Sequence, residues 1–216
     1  HTLEIVLQLL RAAGMSCEAV KPELFVTEEA RAGAAALLGS RGAGPADPVA
    51  AVHPGGYYPS QRWQPEGFAA AINWLIDERG ARILLIGSRA ELGLLDSIVA
   101  MLPEEKRARV IPACDIPLPE LSALLERSFF FLGNNSGPLH MACALGLPSV
   151  SMMGPTDPVK WRPLCGRQEV LRADIACSPC ELGFCGEHAC MKEIKPAMVI
   201  GAMRRVLGGG GGRGPR

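Results

Sequence analysis

The sequence predicts an α/β protein built on a parallel sheet, and three observations point there. Short apolar runs alternate with helical patterns for most of the chain, as they do when strands are joined by crossover helices. Two of the runs, 129–132 and 148–153, are each followed by a glycine-bearing polar turn and then a helix start. The composition, 48% hydrophobic against 20% charged over 216 residues, suffices for a sizeable core.

The elements follow in order. Residues 2–13 read as a helix closed by Gly14, and Thr27 caps a second helix that runs to about Leu38. A Gly/Pro-rich connector spans 39–48. Residues 49–53 form a strand that Pro54-Gly55-Gly56 breaks. Residues 65–79 form an amphipathic helix with proline in its first turn, where the missing N–H costs nothing. A strand at 82–87, a helix at 90–102, a short strand at 109–111 and a helix at 119–127 come next. Then come the strand 129–132, a short helix at 137–145, the strand 148–153 and a last strand at 169–171. A cysteine-rich segment, 177–190, precedes a final helix at 196–207. The glycine-rich tail, 208–216, is expected to be disordered.

The turn Gly133-Asn134-Asn135-Ser136-Gly137-Pro138-Leu139-His140 carries the chemistry. A strand that delivers a Gly/Ser turn onto a helix start makes an anion site, because the first N–H groups are unpaired and carry the positive end of the helix dipole. Ser136 is expected to cap the helix and to offer its hydroxyl to a phosphate oxygen. His140 lies about one turn inside, facing back toward the turn. A second loop, Gly154-Pro155-Thr156-Asp157-Pro158, follows the next strand, and Thr156 or Asp157 caps what comes after. Gly55 and Gly56 allow positive φ and a close backbone approach to phosphate. Loops at the ends of neighbouring strands would face one crevice suited to a nucleotide diphosphate.

Other classes are disfavoured. The formal net charge is zero, so no basic surface excess points to nucleic acid. No run of about 18 apolar residues is present, so no transmembrane helix is expected. The chain opens on His1 without a signal peptide and reads as a piece of a longer protein. No Gly-x-Gly-x-x-Gly joins a strand to a helix, which counts against a dinucleotide enzyme. Cys177, Cys180, Cys185 and Cys190, with His188 among them, have the short spacing of a structural zinc site, of disulfides, or of reduced thiols without metal. Cys17, Cys114, Cys143 and Cys165 read as small apolar residues.

Five motifs occur in one order: His53-Pro54-Gly55-Gly56; Gln61-Arg62-Trp63 with Pro65 and Phe68; Ile86-Gly87-Ser88-Arg89-Ala90-Glu91; the 133–140 turn; and the 154–158 loop. Together they resemble the family 9 glycosyltransferases, the ADP-heptose:lipopolysaccharide heptosyltransferases, over about residues 1–207. The match is to the family's C-terminal half. The resemblance implies a two-domain GT-B fold, of which this chain is the Rossmann-like domain (49–207) that binds the nucleotide sugar, with 1–48 as a helical linker from an N-terminal acceptor domain. It implies that Gly55, Gly56, Gln61 and Arg62 face the donor phosphates, that Glu91 bonds the ribose, and that Asn135, Ser136, Gly137 and His140 hold the diphosphate and sugar. No catalytic residue is then expected here, since the aspartate base belongs to the N-terminal domain, and the fragment alone should be inactive. The implied reaction inverts the anomeric carbon and needs no metal for its chemistry. Its acceptor is a lipid-linked core oligosaccharide at the cytoplasmic face of the inner membrane.

Two positions depart from the family pattern. Gln61 stands where a lysine is usual, and Asn135 where an acid is usual. Glutamine hydrogen-bonds but does not neutralise a departing diphosphate. These departures leave an alternative, a non-catalytic nucleotide-sugar-binding or zinc-organised interaction module. The upstream sequence would separate the two: a preceding acceptor domain favours the enzyme.

Overall fold

The computed structural model describes residues 1–18, 21–164 and 166–208. Its frame is one sheet of six strands: β1 Val49–His53, β2 Arg82–Gly87, β3 Val110–Cys114, β4 Phe130–Asn134, β5 Ser149–Met152 and β6 Gln168–Leu171. All neighbours are parallel, in the order β3-β2-β1-β4-β5-β6. Both central strands are buried throughout, which is why they read as unbroken apolar runs rather than as alternating ones. The chain builds outward from β1 to β3, then returns to lay β4 on β1's other side. Such a reversal opens a crevice at the carboxyl ends of the two strands.

Among the described residues, ten helices connect and cover the strands. They are α1 Thr2–Ala12, α2 Glu28–Ser40, α3 Pro65–Arg79, α4 Leu92–Ala100, α5 Glu104–Arg107, α6 Leu118–Arg127, α7 Gly137–Ala144, α8 Pro158–Trp161, α9 Ala189–Lys192 and α10 Pro196–Gly208. Side chains alternate along each strand, so β1 sends Ala50 and Val52 to one layer and Val49 and Ala51 to the other. The first layer is closed by α3, α4 and α10, through Phe68, Ile72, Leu75, Ile98, Val199 and Met203. The second is closed by α2, α6 and α7, through Ala30, Ala34, Leu38, Leu121, Leu124 and Leu139. The segment read from sequence as a linker thus places α2 in the core.

Helix α3 shows how local sequence sets the packing. Proline opens it, and Gly80 at φ +59 closes it, donating its N–H to Ile76 O at 3.0 Å. Phe68, Ile72 and Leu75 recur at helical spacing, and each is fully buried. Truncating Leu75 to alanine would cost about 2–5 kcal/mol. Trp63, just ahead of the helix, is a core residue: it packs edge-on against Phe68 and donates Nε1–H to Ile194 O at 2.7 Å. Gly67 leaves the room that the indole occupies.

Several expectations are refined. Thr27 caps α2, its hydroxyl accepting from Ala30 N at 3.2 Å. The helix expected over 90–102 starts instead as a 3-10 turn at Arg89–Glu91, because Glu91 folds back on Ser88. Strand β3 runs on to Cys114. Cys143 is disulfide-bonded rather than a plain apolar thiol, and Cys165 lies outside the described residues. So does the glycine-rich tail beyond Gly208. Among the described residues no helix is long and apolar enough to cross a membrane.

Candidate functional site

A hollow of about 370 Å3 sits at the β1/β4 reversal. Its walls come from three loops: His53 and Gly56 after β1, with Arg62 before α3; Ser88 and Glu91 after β2; and Asn135, Ser136 and Gly137 after β4. Asn134, the last residue of β4, ties two of these loops together and is fully buried. Its Nδ2 donates to Pro54 O at 2.8 Å and to Gly55 O at 2.9 Å, and its Oδ1 accepts from Trp63 N at 3.0 Å. The sequence pattern points to Asn135 and not to this neighbour. A polar residue ending an otherwise apolar strand was the signal that could have found it.

Glu91 has a different neighbourhood from the one expected. Its Oε2 accepts from Ser88 N and Ser88 Oγ, both at 2.9 Å, and its Oε1 accepts from Gly56 N at 3.2 Å. The carboxylate therefore shapes the loop that faces the hollow. Burial works against its ionisation, but the hydrogen bonds from Ser88 and Gly56, with His53 nearby, hold its pKa below the usual value. Gly55 is needed for space: a Cβ there would overlap the Glu91 carboxylate. Neither Gly55 nor Gly56 has positive φ, so the conformational reason expected for these glycines does not hold.

The cation of the site is Arg62. Its Nε and Nη2 donate to Gly56 O at 3.0 and 2.8 Å, and Nη2 is 3.8 Å from Glu91 Oε1. Gln61, at the position where the family's lysine is usual, reaches instead to Thr156 Oγ1 at 3.4 Å and is not part of the wall. Asp157 caps α8, accepting from Val159 N at 2.8 Å.

At the β4–α7 turn Ser136 stands at the N-cap position without a side-chain cap. Its hydroxyl donates to Asn134 O at 3.2 Å and lies 3.0 Å from His53 Nδ1. Leu139 N and His140 N donate to Ser136 O, and Pro138 has no N–H. Among the described residues, Gly137 N–H is thus the first-turn donor not committed within the turn. A Cβ on Gly137 would meet no protein atom within 4 Å, so packing does not require this glycine. Asn135 Oδ1 is buried without a partner among the described residues, an acceptor awaiting a donor. His140 is largely exposed and outside the wall, and the burial of part of its ring lowers its pKa. His53, 7% exposed, has its pKa pushed by burial down to about 4, with Glu91 raising it and Arg62 lowering it.

The cysteine-rich segment folds against the loop before α3. Ser60 Oγ donates to Leu182 O at 2.6 Å, and His188 Nε2 is 2.8 Å from Ser60 O. Cys180 N and Glu181 N both donate to Pro155 O. A second hollow of about 420 Å3 lies here, lined by Pro59, Ser60, Phe184, Cys185 and His188. It holds no arginine or lysine, so the smaller hollow is the better anion site. Among the described residues no three His, Cys, Asp or Glu side chains gather in a way that could hold a metal ion. Of the three readings of Cys177, Cys180, Cys185 and Cys190, the zinc site has no such ligand group among the described residues. Cys190 is buried against Gly154, the other three are exposed, and Cys185 Sγ accepts from His188 N.

Residues 1–188 match glycosyltransferase family 9 (heptosyltransferase). The chain belongs to this family. It is 28% identical over 165 residues to lipooligosaccharide heptosyltransferase 2 of Campylobacter jejuni, which covers 73% of this chain and 51% of the relative. The fold superposes on the Escherichia coli ADP-heptose lps heptosyltransferase II with a TM-score of 0.74 and 26% identity, covering 91% of this chain and 56% of that one. It also superposes on a family 9 glycosyltransferase of Veillonella parvula with a TM-score of 0.79, at 22% identity, over 96% and 60% of the two chains. The family 9 chain thus spans about half the length of the curated relatives it matches. The wall of the hollow thus brings together the Arg62 guanidinium, the His53 imidazole, the hydroxyls of Tyr57, Ser88 and Ser136, and the start of α7 at Gly137. Its one carboxylate, Glu91, is committed to backbone and hydroxyl donors.

Proposed function

We propose that this chain is the donor-binding half of a glycosyltransferase that moves a heptose from an ADP-linked donor to a lipopolysaccharide core acceptor. The observation that carries it is the placement of Arg62, Ser136 and the Gly137 N–H around one hollow at the strand reversal. The acceptor hydroxyl gives its proton to an aspartate base on the other half of the protein and attacks the anomeric carbon, the bond to the diphosphate breaks, and ADP leaves into the hollow. This half supplies binding and charge stabilisation rather than proton transfer. Arg62 and the α7 dipole meet the charge that grows on the departing diphosphate, so the step calls on no metal at the reacting atoms. Asn135, in the wall beside Ser136, is assigned to the sugar side of the donor, as is His140, within the first turn of α7. Gly55 and Gly56 supply loop geometry, and Glu91 holds that loop on the side assigned to the ribose. The acceptor is a lipid-linked oligosaccharide presented by the other half of the protein at the cytoplasmic face of the inner membrane.

Calorimetry on the chain tests the assignment. ADP is expected to bind, and to bind more tightly than AMP, because the hollow recognises the second phosphate. The Ser136→Ala, Gly137→Val variant should lose that preference, since valine fills the space left open at the helix end. Unchanged ADP binding by the double variant would remove the hollow as the donor site.

A further inference from the structure

Ser136 Oγ makes two contacts, donating to Asn134 O at 3.2 Å and lying 3.0 Å from His53 Nδ1. A hydroxyl has a single hydrogen and accepts through its lone pairs. With that hydrogen on Asn134 O, the imidazole must be the donor in the second contact, so the His53 hydrogen is on Nδ1. His53 closes β1 in register with Gly133 of β4, which brings its ring beside the β4–α7 turn. A Cβ at Gly133 would sit 2.8 Å from His53 O, so the close approach of the two strands needs that glycine. The ring is buried yet forms part of the wall of the hollow. The charged groups around it are Glu91, from the turn after β2, and Arg62, from the loop before α3. Their signs oppose, and burial keeps the imidazole neutral at ordinary pH.

We propose that His53 is a positioning residue for the donor diphosphate: its Nδ1–H occupies a lone pair of Ser136, so that the serine hydrogen swings from Asn134 O to a phosphate oxygen. The proposal rests on the diphosphate reading of the hollow and assigns a further side chain to it. Without the imidazole N–H, both lone pairs of Ser136 are open, and the hydroxyl loses its reason to aim a hydrogen at the anion. With it, the imidazole, the hydroxyl and the phosphate form a chain of donors in which each bond polarises the next.

The test is a double-mutant cycle for ADP binding by calorimetry on the 216-residue chain. His53→Leu and Ser136→Ala should each weaken ADP about tenfold, the range of one lost hydrogen bond to a charged group. The double variant should bind no more weakly than Ser136→Ala alone, because His53 acts through the serine. His53→Asn, whose amide N–H falls near the lost Nδ1–H, should stay within about threefold of wild type. Adenosine, which has no phosphate, should bind all variants alike. Losses that multiply to about a hundredfold in the double variant would overturn the role of His53 while leaving the diphosphate site intact. A wild-type chain that ignores ADP would overturn both. Should His53→Leu fail to fold, His53→Asn decides: retained affinity supports the proposal, and a tenfold loss contradicts it.

Discussion

Arg62 Nη2 stands 3.8 Å from Glu91 Oε1 across the wall of the hollow. That is beyond hydrogen-bond range and close enough to orient the guanidinium. The stronger hold on Arg62 is Gly56 O, which accepts two of its five N–H groups. The cation is thus fixed at the hollow by the backbone of the loop that Glu91 itself shapes.

Arg62→Met should therefore weaken ADP binding by roughly 10- to 100-fold, the worth of a charged hydrogen bond. Gln61→Met should change it by less than about threefold, because Gln61 reaches Thr156 and not the hollow. Titration calorimetry at fixed salt compares them. A larger loss at Gln61 would return the phosphate contact to that position.

Asn134 is expected to be the least replaceable polar residue of the site. In Asn134→Ala, Trp63 N, Pro54 O and Gly55 O lose their partner. Each buried group left unpaired costs about 1–3 kcal/mol. The midpoint of denaturant unfolding should fall sharply, and ADP binding should go with it. Asn134→Asp should do no better, because a carboxylate cannot donate to the two carbonyls. A near-wild-type midpoint for either variant would contradict the stapling role.

Stability should fall on mild acidification, and His53 should be a main cause. Its pKa is about 4 in the folded chain against 6.5 ordinarily. Between those values the unfolded chain binds the proton and the folded chain does not, so stability is full above about 6.5 and is lost as pH falls toward 4. The size is on the order of 3 kcal/mol. Glu91, with its pKa held low, loses its contribution in the same direction at still lower pH. Unfolding midpoints at pH 7 and pH 4.5 should differ less for His53→Asn than for wild type; an equal difference would show that His53 is not the titrating group.

The cysteine-rich segment should carry thiols and little metal. Cys177, Cys180, Cys185 and Cys190 are free, and Cys190 is buried with its pKa raised by burial and by the three neighbouring thiols. Under reducing conditions, titration after unfolding should find all eight thiols of the chain, these four among them, and elemental analysis should find metal well below one equivalent. One zinc per chain would mean that the tetrathiolate expected from the spacing does form.

Much of the frame was legible because it is written in local patterns. Buried parallel strands such as Val49–His53 and Arg82–Gly87 are unbroken apolar runs, and Pro65 and Gly80 punctuate α3 at its two ends. One-turn helices such as Glu104–Arg107 have too few residues to show a period. The 133–140 turn was legible as a strand-to-helix turn from Gly133, Ser136 and Gly137. What Ser136, Glu91 and Arg62 actually bond was not, because it depends on which strand ends meet. His53 reaches Ser136 only because β1 and β4 pair with His53 opposite Gly133, 80 positions along the chain. The capping expected of Ser136 rested on its place before a helix, and the nearer partners Asn134 O and His53 outcompeted the helix N–H groups.

The most direct measurement of the central claim is an ADP titration of the isotope-labelled chain followed by amide NMR shifts. The largest changes are expected on Gly56, Ser136 and Gly137, the backbone around Arg62 and the start of α7. Shifts centred instead on Phe184, Cys185 and His188, or no shifts at millimolar ADP, would contradict it.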